Sequence, residues 1–70
     1  MVSRADHKAF AKEHVDYGRR IVARQRQLIE EIRSRGTSTF DSESLLTVFE
    51  DTLAIFERDL QEIAVSESED

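Results

Sequence analysis

The sequence lacks cysteine and proline and contains only two glycines, Gly18 and Gly36. Without cysteine, neither a disulfide framework nor a thiolate-bound zinc site is possible. Without proline, and with so little glycine, almost nothing in the sequence interrupts a helix. No run approaches the ~20 apolar residues that a helix needs to cross a bilayer, so a membrane span is not expected.

The chain has 70 residues, of which 36% are charged and 39% are apolar. This length is enough for one domain at most. The first residues, Met1 to Lys8, contain no apolar stretch of the kind found in a secretory signal. We therefore expect a cytoplasmic protein.

Apolar residues recur with a helical period on both sides of one cluster of turn-forming residues around Gly36. Gly36 suits the left-handed position that ends many helices, and Ser38 or Thr39 can cap the next one. The pattern predicts an all-α fold with helices near 4–35 and 39–65. Together they form one helical-hairpin domain over 1–65, followed by an acidic disordered tail over 66–70.

Each predicted helix carries a heptad repeat, which is typical of coiled-coil-like packing. Because the turn is short, the helices must run antiparallel. The heptads then predict six core layers: Ile32 with Leu46, Ile29 with Phe49, Gln25 with Leu53, Val22 with Phe56, Gly18 with Leu60, and Val15 with Ile63. Gln25 is the polar member of this stripe, and a central polar residue of this kind usually fixes the register. Gly18 would leave room for Leu60 or Phe56.

Charges of opposite sign follow the same repeat on one flank of the hairpin. The expected intrachain ion pairs are Arg19 with Glu57, Arg26 with Glu50, and Arg33 with Glu43. Residues 1–36 carry a net charge of +4 and residues 37–70 a net charge of −9, and this ladder accounts for much of that split. Exposed ion pairs of this kind select register and orientation more than they stabilise the fold.

The other flank is apolar, which makes the apolar arc of each helix wider than one partner helix covers. Its members are Phe10, His14, Tyr17, Ile21, Leu28, Leu45, Val48, Thr52 and Ile55. A single hairpin would leave most of them in water. We therefore predict that two hairpins pair through these residues into a four-helix bundle, as a homodimer. A different chain covering the same flank is the alternative, and the sequence does not define the relative orientation of the two hairpins.

His14 is the one histidine inside the apolar arc. The string His14-Val15-Asp16-Tyr17-Gly18-Arg19 resembles the His-x-x-Lys-Gly core of histidine phosphotransfer domains, which are four-helix bundles. Tyr17 stands where that family has lysine. The resemblance implies a signalling bundle in which His14 accepts a phosphoryl group, whereas the residues alone favour a histidine packed at the open end of the bundle.

Other chemistry has little support in the sequence. His7 and His14 lie roughly 10.5 Å apart along one helix, too far to chelate one metal ion. Arg20, Arg24 and Arg35 form a candidate nucleic-acid-binding surface, but acidic residues surround them. No catalytic constellation is present, so we expect a non-enzymatic protein with no cofactor and no metal.

Short groups of residues within about 14–60 carry a second resemblance. They are His14-Val15, Gly18-Arg19-Arg20-Ile21, Arg24-Gln25, Leu28-Ile29, Gly36, Thr39, Leu45-Leu46, Phe49-Glu50 and Leu53. They resemble short, uncharacterised bacterial helical-hairpin proteins. The resemblance implies a complete small bacterial protein and brings no activity or ligand with it. The sequence thus predicts a protein–protein interaction or oligomerisation module.

Overall fold

The structure, a computed structural model, describes residues 3–68. It contains two helices, α1 (Arg4–Ser34) and α2 (Phe40–Ser68), which pack side by side as a hairpin 54 Å long. No strand occurs in this described range. The predicted all-α hairpin is therefore confirmed, with both helices within a few residues of their predicted bounds.

The first helix begins at a capping box. The Asp6 backbone N–H donates to Ser3 Oγ at 3.1 Å, and the Ser3 backbone N–H donates to Asp6 Oδ2 at 3.3 Å. These two bonds satisfy backbone donors that the first helical turn leaves without partners. They fix the start of α1 at the open end of the hairpin.

The turn between the helices depends on Gly36, whose φ of 74° lies in the left-handed region. The N–H groups of Gly36 and Thr37 donate back to the carbonyls of Arg33 and Ile32, which closes the end of α1. The hydroxyl of Ser38 then accepts from the Phe40 backbone N–H at 3.4 Å and caps α2. The predicted turn glycine and the predicted cap are both present.

The second helix continues to Ser68, three residues beyond the predicted end at 65. Residues 66–68, which the sequence assigned to an acidic disordered tail, are helical here. Residues 69–70 of that predicted tail lie outside the described residues.

The buried core comes from α1 alone among the described side chains. Its members are Ala11, Val15, Val22, Gln25 and Ile29. The apolar residues of α2 that face them are only half-buried. Two helices without further cover therefore bury most of the α1 stripe and leave the α2 stripe partly in water.

The predicted core layers are wrong by one heptad. A Cβ placed on Gly18 would lie 3.0 Å from Leu53 Cδ1 and 3.7 Å from Leu53 Cα, so Gly18 opposes Leu53 and neither Leu60 nor Phe56. The His14 ring lies over Phe56, and Gln25 reaches the backbone of Ser42, eleven residues before its predicted partner Leu53. The helices are therefore paired one heptad closer to the turn, and polar Thr39 and Ser42 occupy half-buried core positions.

Candidate association surface

One flank of the hairpin is closed by three ion pairs between the helices, which we call the ionic flank. Arg19 lies 3.5 Å from Glu57, Arg26 lies 2.9 Å from Glu50, and Arg33 lies 3.1 Å from Glu43. These are the pairs that the heptads predict. All six side chains are about half exposed, so solvent screens the attraction between them.

The ion pairs form in the observed register because side chains on a helix lean toward its N-terminus. In this hairpin Arg26 leans away from the turn, whereas Glu50 on the other helix leans toward it. The two charged groups meet although their backbones lie at levels about one and a half helical turns apart. Long side chains thus allow the same pairs in more than one core register.

We expect the central pair to contribute little to stability. In a double-mutant cycle of Arg26→Ala and Glu50→Ala, the coupling free energy should be about 0.2–1 kcal/mol and should shrink as salt is added. Urea unfolding at one fixed protein concentration measures it. A coupling well above that range, unaffected by salt, would show that the ionic flank carries more of the fold than its exposure indicates.

The opposite flank exposes apolar side chains, and we call it the apolar face. It consists of the nine residues that the sequence predicts for the dimer interface: Phe10, His14, Tyr17, Ile21, Leu28, Leu45, Val48, Thr52 and Ile55. Eight are exposed, and Ile21 is half-buried. Six of the eight large apolar side chains that the described structure exposes belong to this face, the others being Phe40 and Val65.

Two shallow grooves run along the apolar face, one toward the turn and one toward the open end. Ile21, Leu28, Leu45 and Phe49 line the turn-side groove, with Gln25 at its base. The Gln25 side-chain amide donates to the Ser42 backbone carbonyl at 2.8 Å, so this buried polar group is satisfied. The base of the groove is held in place while its apolar rim stays open.

The open-end groove is built around His14. Its ring lies 5.1 Å from the ring of Phe56, centroid to centroid, at an angle of 32°. His7, Phe10, Ala11, Asp59 and Ile63 complete the lining. His14 is therefore exposed yet packed on one side, and Tyr17, in the place of the phosphotransfer lysine, is exposed one turn farther along α1.

The candidate basic surface is exposed but mixed in charge. Arg20, Arg24 and Arg35 all lie in solvent. Arg24 lines the turn-side groove together with Glu31, so a carboxylate lies on the same surface. A continuous basic surface, which contacts to phosphates require, is interrupted there.

The sequence does not predict two of the surface residues at these grooves. The heptads place Phe49 and Phe56 in the core stripe, but each also lines a groove on the apolar face. The sequence feature that points to a surface role is the size of these two side chains. An aromatic ring at a core position of a two-helix hairpin is too broad for one neighbouring helix to cover. Within the described residues, no group of three or more His, Asp or Glu side chains is arranged to hold a metal ion.

Neither of the two described helices has a stretch long and apolar enough to cross a membrane. Comparison of the chain with protein-family models, with curated proteins and with solved structures gave no match. What the protein does is therefore inferred from its surfaces.

Proposed function

We propose that the protein is a self-association module in which two hairpins pack their apolar faces together into a four-helix bundle. The observation that carries this proposal is the placement of the exposed apolar side chains: most of them lie on one flank, whereas ion pairs close the other. Exposed apolar side chains gathered on one face are typical of interaction sites.

The area of the surface supports the same proposal. The hairpin exposes 5496 Å². A compact monomer of 8.1 kDa exposes about 4500 Å². The excess of about 1000 Å² is close to the ~800 Å² that each partner buries in an interface of standard size. One dimer interface would thus bring the surface of each protomer to an ordinary value.

A second hairpin also supplies what the core lacks. The α2 residues Leu46, Leu53 and Leu60 remain half-buried against α1 alone. Packing a second hairpin over the apolar face covers the rims of both grooves and adds contacts to Phe49 and Phe56. The same chain meets this need with no additional partner, since a two-fold axis brings identical faces together.

In this role the protein is a non-enzymatic scaffold whose outer surface, rich in charge, is left for other proteins. His14 and Tyr17 are covered in the bundle, where both act as packing residues. Association and phosphotransfer at His14 are thus competing uses of one surface.

Sedimentation equilibrium over a range of concentrations tests the proposal. We expect the mass of a dimer with a dissociation constant in the micromolar range or tighter, as interfaces of this size give. Circular dichroism on the same samples reports whether the chain is folded. A folded monomer at tens of micromolar would overturn the proposal and leave the apolar face to a different chain.

A further inference from the structure

Two symmetric ways exist to pack one apolar face on another, and they differ in the direction of the two-fold axis. In the lengthwise arrangement the axis runs along the helices, both turns lie at one end, and α1 packs on the partner's α2. In the crosswise arrangement the axis runs across the helices, the turns lie at opposite ends, and each helix packs on its own copy. The choice between them rests on the proposed dimer.

The two helices carry opposite charge over their whole length. From Arg4 to Ser34, α1 has eight basic and five acidic side chains, a net charge of +3. From Phe40 to Ser68, α2 has one basic and eight acidic side chains, a net charge of −7. Packed helices lie about 8–10 Å apart, roughly one Debye length at physiological salt, so the charge of each helix affects its neighbours.

The crosswise arrangement places α2 beside the partner's α2, which sets acidic helix against acidic helix. Asp41 and Glu62 lie about equally far on either side of Thr52, near the centre of the apolar face. A crosswise axis near Thr52 therefore brings Asp41 of each chain to the partner's Glu62. Like charges brought together in this way oppose association.

The lengthwise arrangement alternates basic and acidic helices around the bundle, so every α1 has an α2 on both sides. It also brings apolar residues of the two chains together at the same height along the bundle axis. Because Gly18 opposes Leu53 within the hairpin, Tyr17 lies near the level of Ile55, and Leu28 lies near the level of Leu45. Packing α1 on the partner's α2 at those levels sets Tyr17 on the partner's Ile55 and Leu28 on the partner's Leu45.

We propose that the dimer is lengthwise: both turns lie at the same end, and the basic helix α1 packs on the acidic helix α2 of the partner. The charge split along the chain then has two uses. It forms the ionic flank within each hairpin, and it selects the orientation between hairpins, as flanking charges do in coiled coils.

Distances between spin labels test this orientation directly. The chain has no cysteine, so a single introduced cysteine carries one nitroxide per protomer. Thr37→Cys places the label in the turn and Ala54→Cys places it near the middle of α2, both at exposed positions. Pulsed dipolar EPR then measures the distance between the two labels of a dimer.

For Thr37→Cys we expect one distance, shorter than half of the 54 Å length of the hairpin. A distance close to that full length, or two distances of similar weight, would overturn the lengthwise arrangement. The Ala54→Cys label reports association itself, because in both arrangements the two labels near the middle of the hairpins are close enough for a dipolar signal. No dipolar signal from Ala54→Cys would overturn the proposed dimer, whereas a signal there with a long Thr37→Cys distance would overturn only the orientation.

Discussion

Replacing Ile55 with aspartate is expected to convert the dimer into a folded monomer. Ile55 is 48% exposed in the single hairpin, so an aspartate there meets water and costs the hairpin little. In the bundle the same carboxylate is buried against apolar side chains twice, once in each protomer. Burial of an unpaired charge costs several kcal/mol, so the dissociation constant should rise about 10³-fold or more.

Val65→Asp is the matched control for this substitution. Val65 lies on the same helix, is 49% exposed and receives the same charge, but it lies on the outward side of α2, away from the apolar face. Sedimentation equilibrium should therefore show a dimer for Val65→Asp and a monomer for Ile55→Asp at the same concentration. Equal weakening by both substitutions would mean that added negative charge, and not the apolar face, governs association.

The helices, the turn and the ion pairs were predictable because each depends on local spacing. The apolar period fixes two helices, and Gly36 is at the place where a left-handed residue is needed. The pairs of the ionic flank follow from a seven-residue recurrence of opposite charge. All of this is visible in residues that are close in sequence or share one repeat.

The core register was not predictable from the same signals. Arg26 and Glu50 meet in the observed register because they lean toward each other, so their pairing does not report the level of their backbones. The heptads place the first core layer at Leu46, the first apolar residue of its stripe. The structure instead uses Thr39 and Ser42 as core positions, since Gln25 bonds to the Ser42 carbonyl and the short turn brings these residues into the stripe.

The apolar face was predictable as a set of residues but not as a pair of grooves. Heptad positions place Ile21 and Leu28 on one flank, yet the groove between them and Leu45 depends on the register and on the ring of Phe49. A one-heptad shift changes which side chains line each groove without changing which flank is apolar. The kind of surface therefore follows from the sequence, and its shape follows from the packing.

Gly18 is where the observed register has the largest consequence for stability. A Cβ there would lie 3.0 Å from Leu53 Cδ1, the end of a flexible side chain, and 3.6 Å from Leu53 Cβ. Gly18→Ala should therefore change the free energy of unfolding by less than about 1 kcal/mol, because the gain in helix propensity offsets a small shift of Leu53. Gly18→Leu adds far more volume than that shift accommodates and should cost about 3 kcal/mol.

A second substitution identifies the residue that opposes Gly18. Leu53→Ala removes from this layer about the volume that Gly18→Leu adds. The double variant should therefore be about 2 kcal/mol more stable than the sum of the two single effects predicts. Combining Gly18→Leu with Leu60→Ala is the control. Leu60 belongs to a different layer, so the losses of unfolding free energy from the two substitutions should simply add. Urea unfolding at one fixed protein concentration measures both cycles. Rescue by Leu60→Ala and none by Leu53→Ala would show that Gly18 opposes Leu60, as the sequence predicts. That outcome would contradict the observed register.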